Sequence, residues 1–330
     1  MTTVYVTDYV SPEIYSNLRS RYTVYRGYGN DAKPWSAVAP IIDAALVRTQ
    51  IITAGMIEEA PRLKIIARHG VGFDNVDVRA ASEKGVWVTT TPGANAPAVA
   101  EHVFALALGV ARRVVEGSRA VIAGEWSTAK PRLLGTQLQG KTIGIIGFGQ
   151  IGQRVATLAR GFGMSIAVVD PILVADDVAD SGIRLTNLDD LLESSDVVTL
   201  HVPLTPDTQH MINAAALERL RDGAILVNTS RGGLIDEAAL EAEIRKGRIL
   251  AGLDVVEGES TNMNNPVPDS QISVDLPGLV ITPHIAGQSD QAMIDVGNAA
   301  VECIDATLAG REPAHAVNRQ AISVSATHAV

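Results

Sequence analysis

The sequence contains almost no cysteine and no excess of basic side chains. Cys303 is its single cysteine, so one chain cannot form an internal disulfide, which fits a reducing compartment or indifference to redox state. The formal net charge is −10, whereas a nucleic-acid-binding surface needs a basic patch. We therefore expect no nucleic-acid partner.

Long apolar runs and clusters of metal ligands are also absent. The longest strictly apolar stretch near the middle, residues 103–111, is far shorter than the roughly 18 residues that span a bilayer. Residues 1–10 lack the basic and apolar regions of a signal peptide. Histidine, cysteine and carboxylate side chains nowhere show the spacing of metal ligands. We expect a cytoplasmic protein with no membrane segment and no metal.

A glycine-rich turn stands out in the stretch 141–170, KTIGIIGFGQIGQRVATLARGFGMSIAVVD. Gly147, Gly149 and Gly152 form a G-x-G-x-x-G pattern between an apolar strand and a helix. The first glycine permits a tight turn, the second lets the backbone approach a pyrophosphate, and the third lets the helix pack against the sheet. The helix N-terminus then offers free N–H groups to the phosphates. The pattern predicts a dinucleotide site.

An acid at the end of the second strand indicates which dinucleotide binds. Asp170 lies 23 residues after Gly147 in the sequence. A carboxylate at this position accepts hydrogen bonds from the adenosine ribose hydroxyls and repels a 2′-phosphate. The sequence therefore favours NAD over NADP.

Short apolar runs that alternate with helix-like segments predict the fold. The 330 residues, 46% of them hydrophobic, suffice for about two domains. Five runs occupy residues 4–6, 22–25, 44–47, 63–67 and 86–89, and six more occupy residues 142–146, 165–169, 196–201, 224–228, 249–254 and 279–282. The alternation predicts an α/β protein with two Rossmann-like or flavodoxin-like domains, each with a parallel sheet, and an active site in the cleft between them.

A predicted final helix at residues 289–308 would carry the chain back to the first domain. The predicted substrate-binding domain is therefore discontinuous and comprises residues 1–97 and 287–330. Residues 98–286 form the predicted NAD-binding domain. The helix that opens this second domain is apolar almost all round, so we expect it to be buried between domains or in a subunit interface.

Three polar side chains follow later strands of the predicted NAD-binding sheet: Arg231 in NTSRGG, Glu259 in LDVVEGES and His284 in ITPHIAG. Ligands of open α/β sheets bind beyond the carboxyl ends of the strands. Arginine offers a fork of donors to a carboxylate, histidine exchanges protons near neutral pH, and a neighbouring carboxylate stabilises the protonated ring. The three predict an acid/base pair and an anchor for a 2-oxo or 2-hydroxy acid. Alone, each could be an ordinary loop residue.

Several segments together resemble the signatures of the D-isomer-specific 2-hydroxyacid dehydrogenases. RHGVGFDNVD, the glycine fingerprint, NTSRGGLIDEAAL, AGLDVVEGE and ITPHIAG occur in the family's order. The resemblance implies that Arg231 binds the substrate carboxylate and carbonyl, that His284 is the acid/base, and that Glu259 tunes it. Here Ser260 follows the acid, where the family usually has proline, so Glu257 stays open as an alternative acid.

The resemblance also implies the remaining ligand contacts. The backbone of Gly70, Val71 and Gly72 would hold the substrate carboxylate, with Asn95 nearby. The residues that would contact the cofactor are Gly147, Gly149, Gln150, Ile151, Gly152, Asp170, His201, Pro203, Thr229, Asp254 and His284.

Two arginines favour a substrate with a second anionic group. Arg48 in ALVRT and Arg68 in IIARHGVG match positions where D-3-phosphoglycerate dehydrogenases carry phosphate-binding arginines. Such a pair can clamp a phosphate or sulfonate, although a solvated arginine or one paired with Asp74 is the simpler alternative. The resemblance therefore implies oxidation of D-3-phosphoglycerate to 3-phosphohydroxypyruvate.

Other functions stay open. The long segment between Glu259 and His284 favours a different anionic hydroxyacid, such as sulfolactate, glycerate or hydroxypyruvate. An NAD(H)-sensing binding protein like the corepressors that share this fold is an alternative from another class. Because the sequence stops near Val330, we expect no regulatory domain like that of some phosphoglycerate dehydrogenases. The family resemblance implies a homodimer.

Overall fold

The computed structural model describes residues 2–178, 181–262 and 265–322. The chain divides into two compact units, which we call unit 1 and unit 2. Unit 1 comprises Met1–Asn95 and Gln288–Val330, and unit 2 comprises Ala96–Gly287. Each unit is built on one parallel sheet.

Unit 1 contains a five-stranded sheet. Its strands are β1 (Thr3–Val6), β2 (Thr23–Arg26), β3 (Ala44–Val47), β4 (Ile65–Arg68) and β5 (Trp87–Thr89), in the order β2-β1-β3-β4-β5. All neighbouring strands pair in parallel, and every residue of β1, β3 and β4 is buried, as expected for strands with both faces covered. This is the flavodoxin-like strand order, and it confirms the predicted fold class.

Helices cover both faces of this sheet. They are α1 (Pro12–Arg19), α2 (Trp35–Val38), α3 (Ala54–Glu58), α4 (Val78–Glu83) and the C-terminal helix, α13 (Asp290–Leu308). The predicted final helix is confirmed, and the Ser289 side chain caps it by accepting from the Ala292 N–H. Ile304 on α13 and Leu18 on α1 join one hydrophobic cluster beneath β1. A side chain at Gly297 would meet Ile14 at 2.4 Å, so the two helices pack in close contact.

Unit 2 contains a seven-stranded sheet. Its strands are β6 (Thr142–Ile146), β7 (Ser165–Val169), β8 (Ile183–Leu185), β9 (Val197–Leu200), β10 (Ile225–Asn228), β11 (Leu250–Leu253) and β12 (Leu279–Ile281). The order β12-β11-β10-β9-β6-β7-β8 is the dinucleotide-binding order with one added edge strand. The sequence predicted six strands and missed β8, because this short edge strand carries the exposed Arg184 and is nowhere fully buried.

The helices of unit 2 are α5 (Ala96–Ala111), α6 (Val114–Ile122), α7 (Trp126–Ala129), α8 (Gln150–Gly161), α9 (Ala175–Val178), α10 (Leu188–Ser194), α11 (Ala214–Arg219) and α12 (Glu237–Arg245). The apolar helix predicted to be buried is α5. It shares a hydrophobic cluster with β6, β9 and β10, and a side chain at Gly252 of β11 would lie 2.8 Å from Leu106. The apolar surface of α5 is therefore buried by contacts within unit 2.

The long segment between Glu259 and His284 contains local structure. Single turns of 3-10 helix lie at Glu257–Ser260 and Val267–Asp269. Met263 and Asn264 of this predicted loop lie outside the described residues. No described helix is both long enough and apolar enough to cross a membrane.

Candidate active site

The glycine turn leaves room at the N-terminus of α8. Gly147 has φ +92°, and a Cβ there would lie 2.6 Å from the His201 carbonyl oxygen. A Cβ at Gly152 would lie 2.3 Å from the Gly147 oxygen. A Cβ at Gly149, in contrast, would meet no atom within 4 Å. The turn is therefore closed on its inner side and open where the helix N-terminus can accept a pyrophosphate.

Asp170 is fixed beside this turn at the carboxyl end of β7. Its Oδ2 accepts from the Phe148 N–H at 2.7 Å, and its Oδ1 accepts from the Ile172 N–H at 2.9 Å. Each carboxylate oxygen can accept more than one hydrogen bond, so both can still receive ribose hydroxyls. The arrangement fits NAD, and a 2′-phosphate would face a negative charge.

Two buried polar atoms lie at the ends of the adjacent strands β9 and β10. Within the described part of the chain, His201 Nδ1 and Thr229 Oγ1 have no hydrogen-bond partner. Burial lowers the pKa of His201 to about 3, so the ring is neutral. A buried unpaired polar atom costs about 1–3 kcal/mol. Both atoms therefore fit a ligand that supplies hydrogen bonds, and both residues were predicted to contact the cofactor.

The other predicted cofactor residues of these loops are more exposed. Gln150 and Pro203 are exposed, and Ile151 is half-buried. The Pro203 carbonyl accepts a hydrogen bond from the Thr208 hydroxyl at 2.7 Å. Their contact with the cofactor stays a prediction.

Asp254 organises the turn that follows β12. Its fully buried carboxylate accepts from the Thr282 hydroxyl at 2.6 Å and from the Ile285 and Ala286 N–H groups at 2.9 and 2.7 Å. Burial alone raises the pKa of Asp254, but hydrogen bonds from His102 and these three groups outweigh it and lower the pKa. The ionised carboxylate therefore holds the turn, whereas its predicted contact with the cofactor stays a prediction.

His284 lies in this turn and pairs with Glu259. Nδ1 of His284 is 2.7 Å from Oε2 of Glu259, and the side chains are 44% and 13% exposed. The His284 backbone has φ +54° and donates its N–H to the Asp254 carbonyl at 2.9 Å. In the tautomer that donates Nδ1–H to Glu259, the predicted proton exchange with a substrate would fall to Nε2.

The structure distinguishes between the two acids that the sequence left open. Glu257 Oε1 lies 2.7 Å from Nε2 of His210, a different histidine. Glu259, not Glu257, is therefore the acid beside His284.

Arg231 lies on the neighbouring loop, at the carboxyl end of β10. Its Nη1 donates to the Ser230 carbonyl at 2.7 Å, and the Ser230 hydroxyl donates to the Val202 carbonyl at 2.6 Å. A Cβ at Gly232 would lie 2.1 Å from the carbonyl carbon of Val256. The loop that carries Arg231 therefore packs directly on the loop that carries Glu259. The strands β10, β11 and β12, which precede the three predicted catalytic residues, are neighbours in the sheet.

In unit 1, Arg68 builds the loop that follows β4. Its side chain is buried, Nε donates to the Gly72 carbonyl at 2.8 Å, and Nη1 donates to the carbonyls of Val47 and Arg48. These bonds tie the loop 69–72 to the end of β3. Gly70, with φ +153°, accepts from the Thr91 N–H at 3.0 Å.

Arg48 differs from Arg68 in its surroundings. Its guanidinium is partly buried and forms no hydrogen bond within the described part of the chain. Burial lowers the pKa of Arg48, and the charge of Asp8 opposes this shift. Burial and the Arg48 charge together lower the pKa of His69 to about 4. The guanidinium is therefore a charged donor without an acceptor.

Two residues in this region were missed by the sequence reasoning. The Thr91 hydroxyl is buried and, like Oδ1 of the predicted Asn95, has no partner among the described residues. Asp8 accepts from the N–H groups of Arg48 and Thr49 at 3.3 and 3.0 Å. Asp8 follows the end of β1, so the strand-end rule that singled out Arg231 and His284 could have found it.

The chain is similar to known proteins. The family profile described as D-isomer specific 2-hydroxyacid dehydrogenase, NAD binding domain, matches residues 104–286. A hydroxypyruvate reductase of Thermotoga maritima is 44% identical over 269 residues, which are 81% of this chain and 85% of that protein. A D-3-phosphoglycerate dehydrogenase of Archaeoglobus fulgidus is 39% identical over 288 residues, which are 87% of this chain and 53% of that protein.

A solved structure is also similar to this chain. A D-lactate dehydrogenase of Aquifex aeolicus, complexed with NAD and lactic acid, is 29% identical with a TM-score of 0.79, and the match covers 93% of this chain and 96% of that one. The open glycine turn and the position of Asp170 fit the NAD-binding domain that the profile describes. The chain therefore belongs to the D-isomer-specific 2-hydroxyacid dehydrogenase family, whose members are NAD-dependent oxidoreductases.

Proposed function

We propose that the chain interconverts D-3-phosphoglycerate and 3-phosphohydroxypyruvate with NAD. The observation that carries this choice is the partly buried guanidinium of Arg48, which lacks a hydrogen-bonding partner within the described residues. A partly buried guanidinium that has no hydrogen-bond acceptor pays a desolvation cost, and a phosphate offers both the opposite charge and acceptor oxygens. Because Arg68 donates to backbone carbonyls, we assign phosphate binding mainly to Arg48.

The acid/base step is assigned to the pair in unit 2. In oxidation, Nε2 of His284 takes the proton of the C2 hydroxyl, while Glu259 holds Nδ1–H and stabilises the imidazolium that forms. Arg231 binds the substrate carboxylate and the C2 oxygen through its fork of donors. In reduction, the imidazolium returns the proton to the C2 oxygen. The cofactor, when bound, would accept the C2 hydride as NAD⁺ in the oxidation and supply it as NADH in the reduction.

The remaining predicted contacts are part of the same proposal. Gly70, Val71 and Gly72 bind the substrate carboxylate through their N–H groups, with Asn95 nearby. The cofactor residues proposed are Gly147, Gly149, Gln150, Ile151, Gly152, Asp170, His201, Pro203, Thr229, Asp254 and His284. No group of described histidine, cysteine and acidic residues could hold a metal ion, and the proposed reaction uses none.

Reduction rates with a panel of 2-oxo acids test the substrate. We expect kcat/KM for 3-phosphohydroxypyruvate to exceed that for hydroxypyruvate. Arg48→Gln should lower kcat/KM for the phosphorylated acid about 100-fold, because charge-assisted hydrogen bonds contribute about 1.5–3 kcal/mol, and should change hydroxypyruvate turnover less than threefold. Arg79→Gln, at an exposed arginine of unit 1, is the control.

Equal losses on both acids would remove Arg48 as the phosphate-binding group. A wild-type preference for hydroxypyruvate would favour the second candidate, glycerate and hydroxypyruvate, which the Thermotoga maritima relative supports. Sulfopyruvate belongs in the panel because a sulfonate presents a similar anion to Arg48.

We also propose a homodimer formed through an apolar patch of unit 2. The patch consists of Val121, Ile122, Trp126 and Leu134, which are exposed on and beside α6 and α7. Ile122 and Leu134 are 84% and 85% exposed. We propose that the four side chains form one apolar surface that a partner covers. A second copy of the chain is the partner that the family implies.

A further inference from the structure

Glu237 is a buried acid outside the proposed catalytic set. It is the first residue of α12, directly after the N-cap Asp236, and is 2% exposed. Its Oε1 accepts from the Glu257 N–H at 2.7 Å, and its Oε2 accepts from the Gln271 N–H at 2.8 Å. Among the described residues, no lysine or arginine forms an ion pair with it.

Burying a carboxylate that only backbone N–H groups hold costs desolvation free energy, so it is an inefficient way to stabilise a fold. Burial raises the pKa of Glu237, the two hydrogen bonds oppose this, and the charges of Glu257 and Glu259 raise the pKa further. An apolar side chain at the start of α12 would avoid the cost of burying this group. The role of Glu237 is therefore indicated by its two hydrogen bonds, which fix the backbone at Glu257 and Gln271.

We propose that Glu237 is a positioning residue that clamps the backbone at Glu257 and Gln271 and thereby holds Glu259 against His284. Glu257 begins the 3-10 turn Glu257–Ser260, in which Glu259 lies two residues further on. Because this role presupposes the acid/base pair of the proposed function, it deepens that function.

Other contacts of the turn leave it little freedom. Gly232 lies beneath it, and a Cβ there would be 2.3 Å from the Glu257 nitrogen. On the other side, a Cβ at Gly258 would be 2.1 Å from the Pro266 oxygen, and the Gly258 N–H donates to the Ser270 hydroxyl at 3.3 Å. Within the turn, Glu259 Oε1 accepts from the Val256 N–H at 3.2 Å, which leaves Oε2 for His284.

A second acid of α12 provides a matched control. Glu241 lies one helical turn after Glu237 and accepts from the Ser273 N–H at 2.6 Å and the Ser273 hydroxyl at 3.2 Å. It also pairs with Arg245. Glu241 therefore anchors the same segment of chain, but at a point 14 residues beyond Glu259 in the sequence.

The experiment compares Glu237→Gln with Glu241→Gln in the full-length enzyme. Glutamine keeps the shape of the side chain but turns an amide N–H₂ toward one of the two backbone N–H groups, so one bond of the clamp is lost. We expect Glu237→Gln to lower kcat about tenfold or more, because small misplacements of catalytic groups have large effects on rate. The NADH Kd should stay within twofold.

Hydrogen exchange supplies a readout that needs no substrate. Amides of residues 256–262 and 270–272 should exchange at least tenfold faster in Glu237→Gln. In Glu241→Gln, faster exchange should be confined to the neighbourhood of Ser273, with kcat within twofold of the wild type. Glu237→Asp, which restores the charge at a shorter reach, should recover part of the lost kcat.

Three outcomes would overturn the proposal. An unchanged kcat in Glu237→Gln with faster local exchange would leave only a structural clamp. Equal effects of Glu237→Gln and Glu241→Gln on kcat would also reduce Glu237 to a structural role. So would a parallel loss of kcat, NADH affinity and thermal stability in Glu237→Gln. A wild-type enzyme that turns over no 2-oxo acid would instead defeat the proposed function, and the exchange measurement would still test the clamp.

Discussion

At the scale of single residues, two histidine–glutamate pairs can be compared, of which we assign only His284 and Glu259 to the reaction. His210 and Glu257 also approach within 2.7 Å, and both pairs belong to unit 2. Both histidines have a positive φ, near 48° for His210 and 54° for His284. Each can therefore be replaced by asparagine, which tolerates this backbone conformation better than most residues.

We predict that His284→Asn lowers kcat more than 100-fold with any active 2-oxo acid, because general acid/base catalysis contributes about 10²–10⁴-fold. The NADH Kd, measured by fluorescence titration, should rise no more than about tenfold, because His284 is only one of the proposed cofactor contacts. His210→Asn is the matched control and should keep kcat within threefold. Turnover by His284→Asn close to that of the wild type would remove the residue from the acid/base step.

The same pairs show how much of the candidate site could be predicted from the sequence. The strand-end rule identified Arg231 and His284, because parallel strands deliver their following loops to one edge of the sheet. The five-residue distance from Asp254 favoured Glu259 as the acid and left Glu257 as the less likely one, and the 3-10 turn decides which of the two carboxylates faces His284. Glu237 was missed because its partners are backbone N–H groups far away in sequence, which no local pattern reveals. Asp8, in contrast, follows the end of β1, where the strand-end rule could have found it.

At the scale of elements, the turn between β6 and α8 separates the binding of NAD from the stability of the fold. Gly149 has φ −71° and ψ −159°, which alanine adopts without strain, and a Cβ there meets no neighbour. Gly152 has no such room, because its Cβ would collide with the Gly147 oxygen.

We predict that Gly149→Ala raises the NADH Kd at least tenfold while the melting temperature stays within about 2 °C, because the added methyl group lies where the backbone approaches the pyrophosphate. Gly152→Ala should lower the melting temperature by several degrees, as expected when a side chain is forced against backbone. Titration of each variant with NADH, together with thermal unfolding, checks both. A melting temperature lowered as much by Gly149→Ala as by Gly152→Ala would contradict this separation.

The strands and helices themselves were largely predictable. Continuous apolar runs such as Ala44–Val47 mark strands buried on both faces, and the structure contains them at the expected places. The missed strand β8 is short, lies at the edge of the sheet and has no fully buried residue. Its pairing with β7 depends on the neighbouring strand and not on its own sequence.

At the scale of the whole molecule, the proposed homodimer is tested through the apolar patch on and beside α6 and α7. We predict that the wild type elutes as a dimer in size-exclusion chromatography with light scattering. The double variant Ile122→Asp, Leu134→Asp should elute as a monomer, because two charges would have to be desolvated in the interface.

The control for this prediction is Ile172→Asp. Ile172 is 87% exposed and belongs to unit 2 but not to the patch, so this variant should remain dimeric. A wild-type monomer, or dissociation by Ile172→Asp as well, would show that the patch does not mediate the association.

The return of the chain to unit 1 has a consequence for its synthesis. The sheet of unit 1 is complete at Thr89, yet Ala300, Val301 and Ile304 of α13 belong to the cluster that covers one of its faces. Between them the ribosome must produce all of Ala96–Gly287, which takes roughly 10–40 s at about 5–20 residues per second. During that interval α1 alone covers this apolar face of the nascent sheet, so we expect a chaperone to shield the rest of the face until α13 emerges.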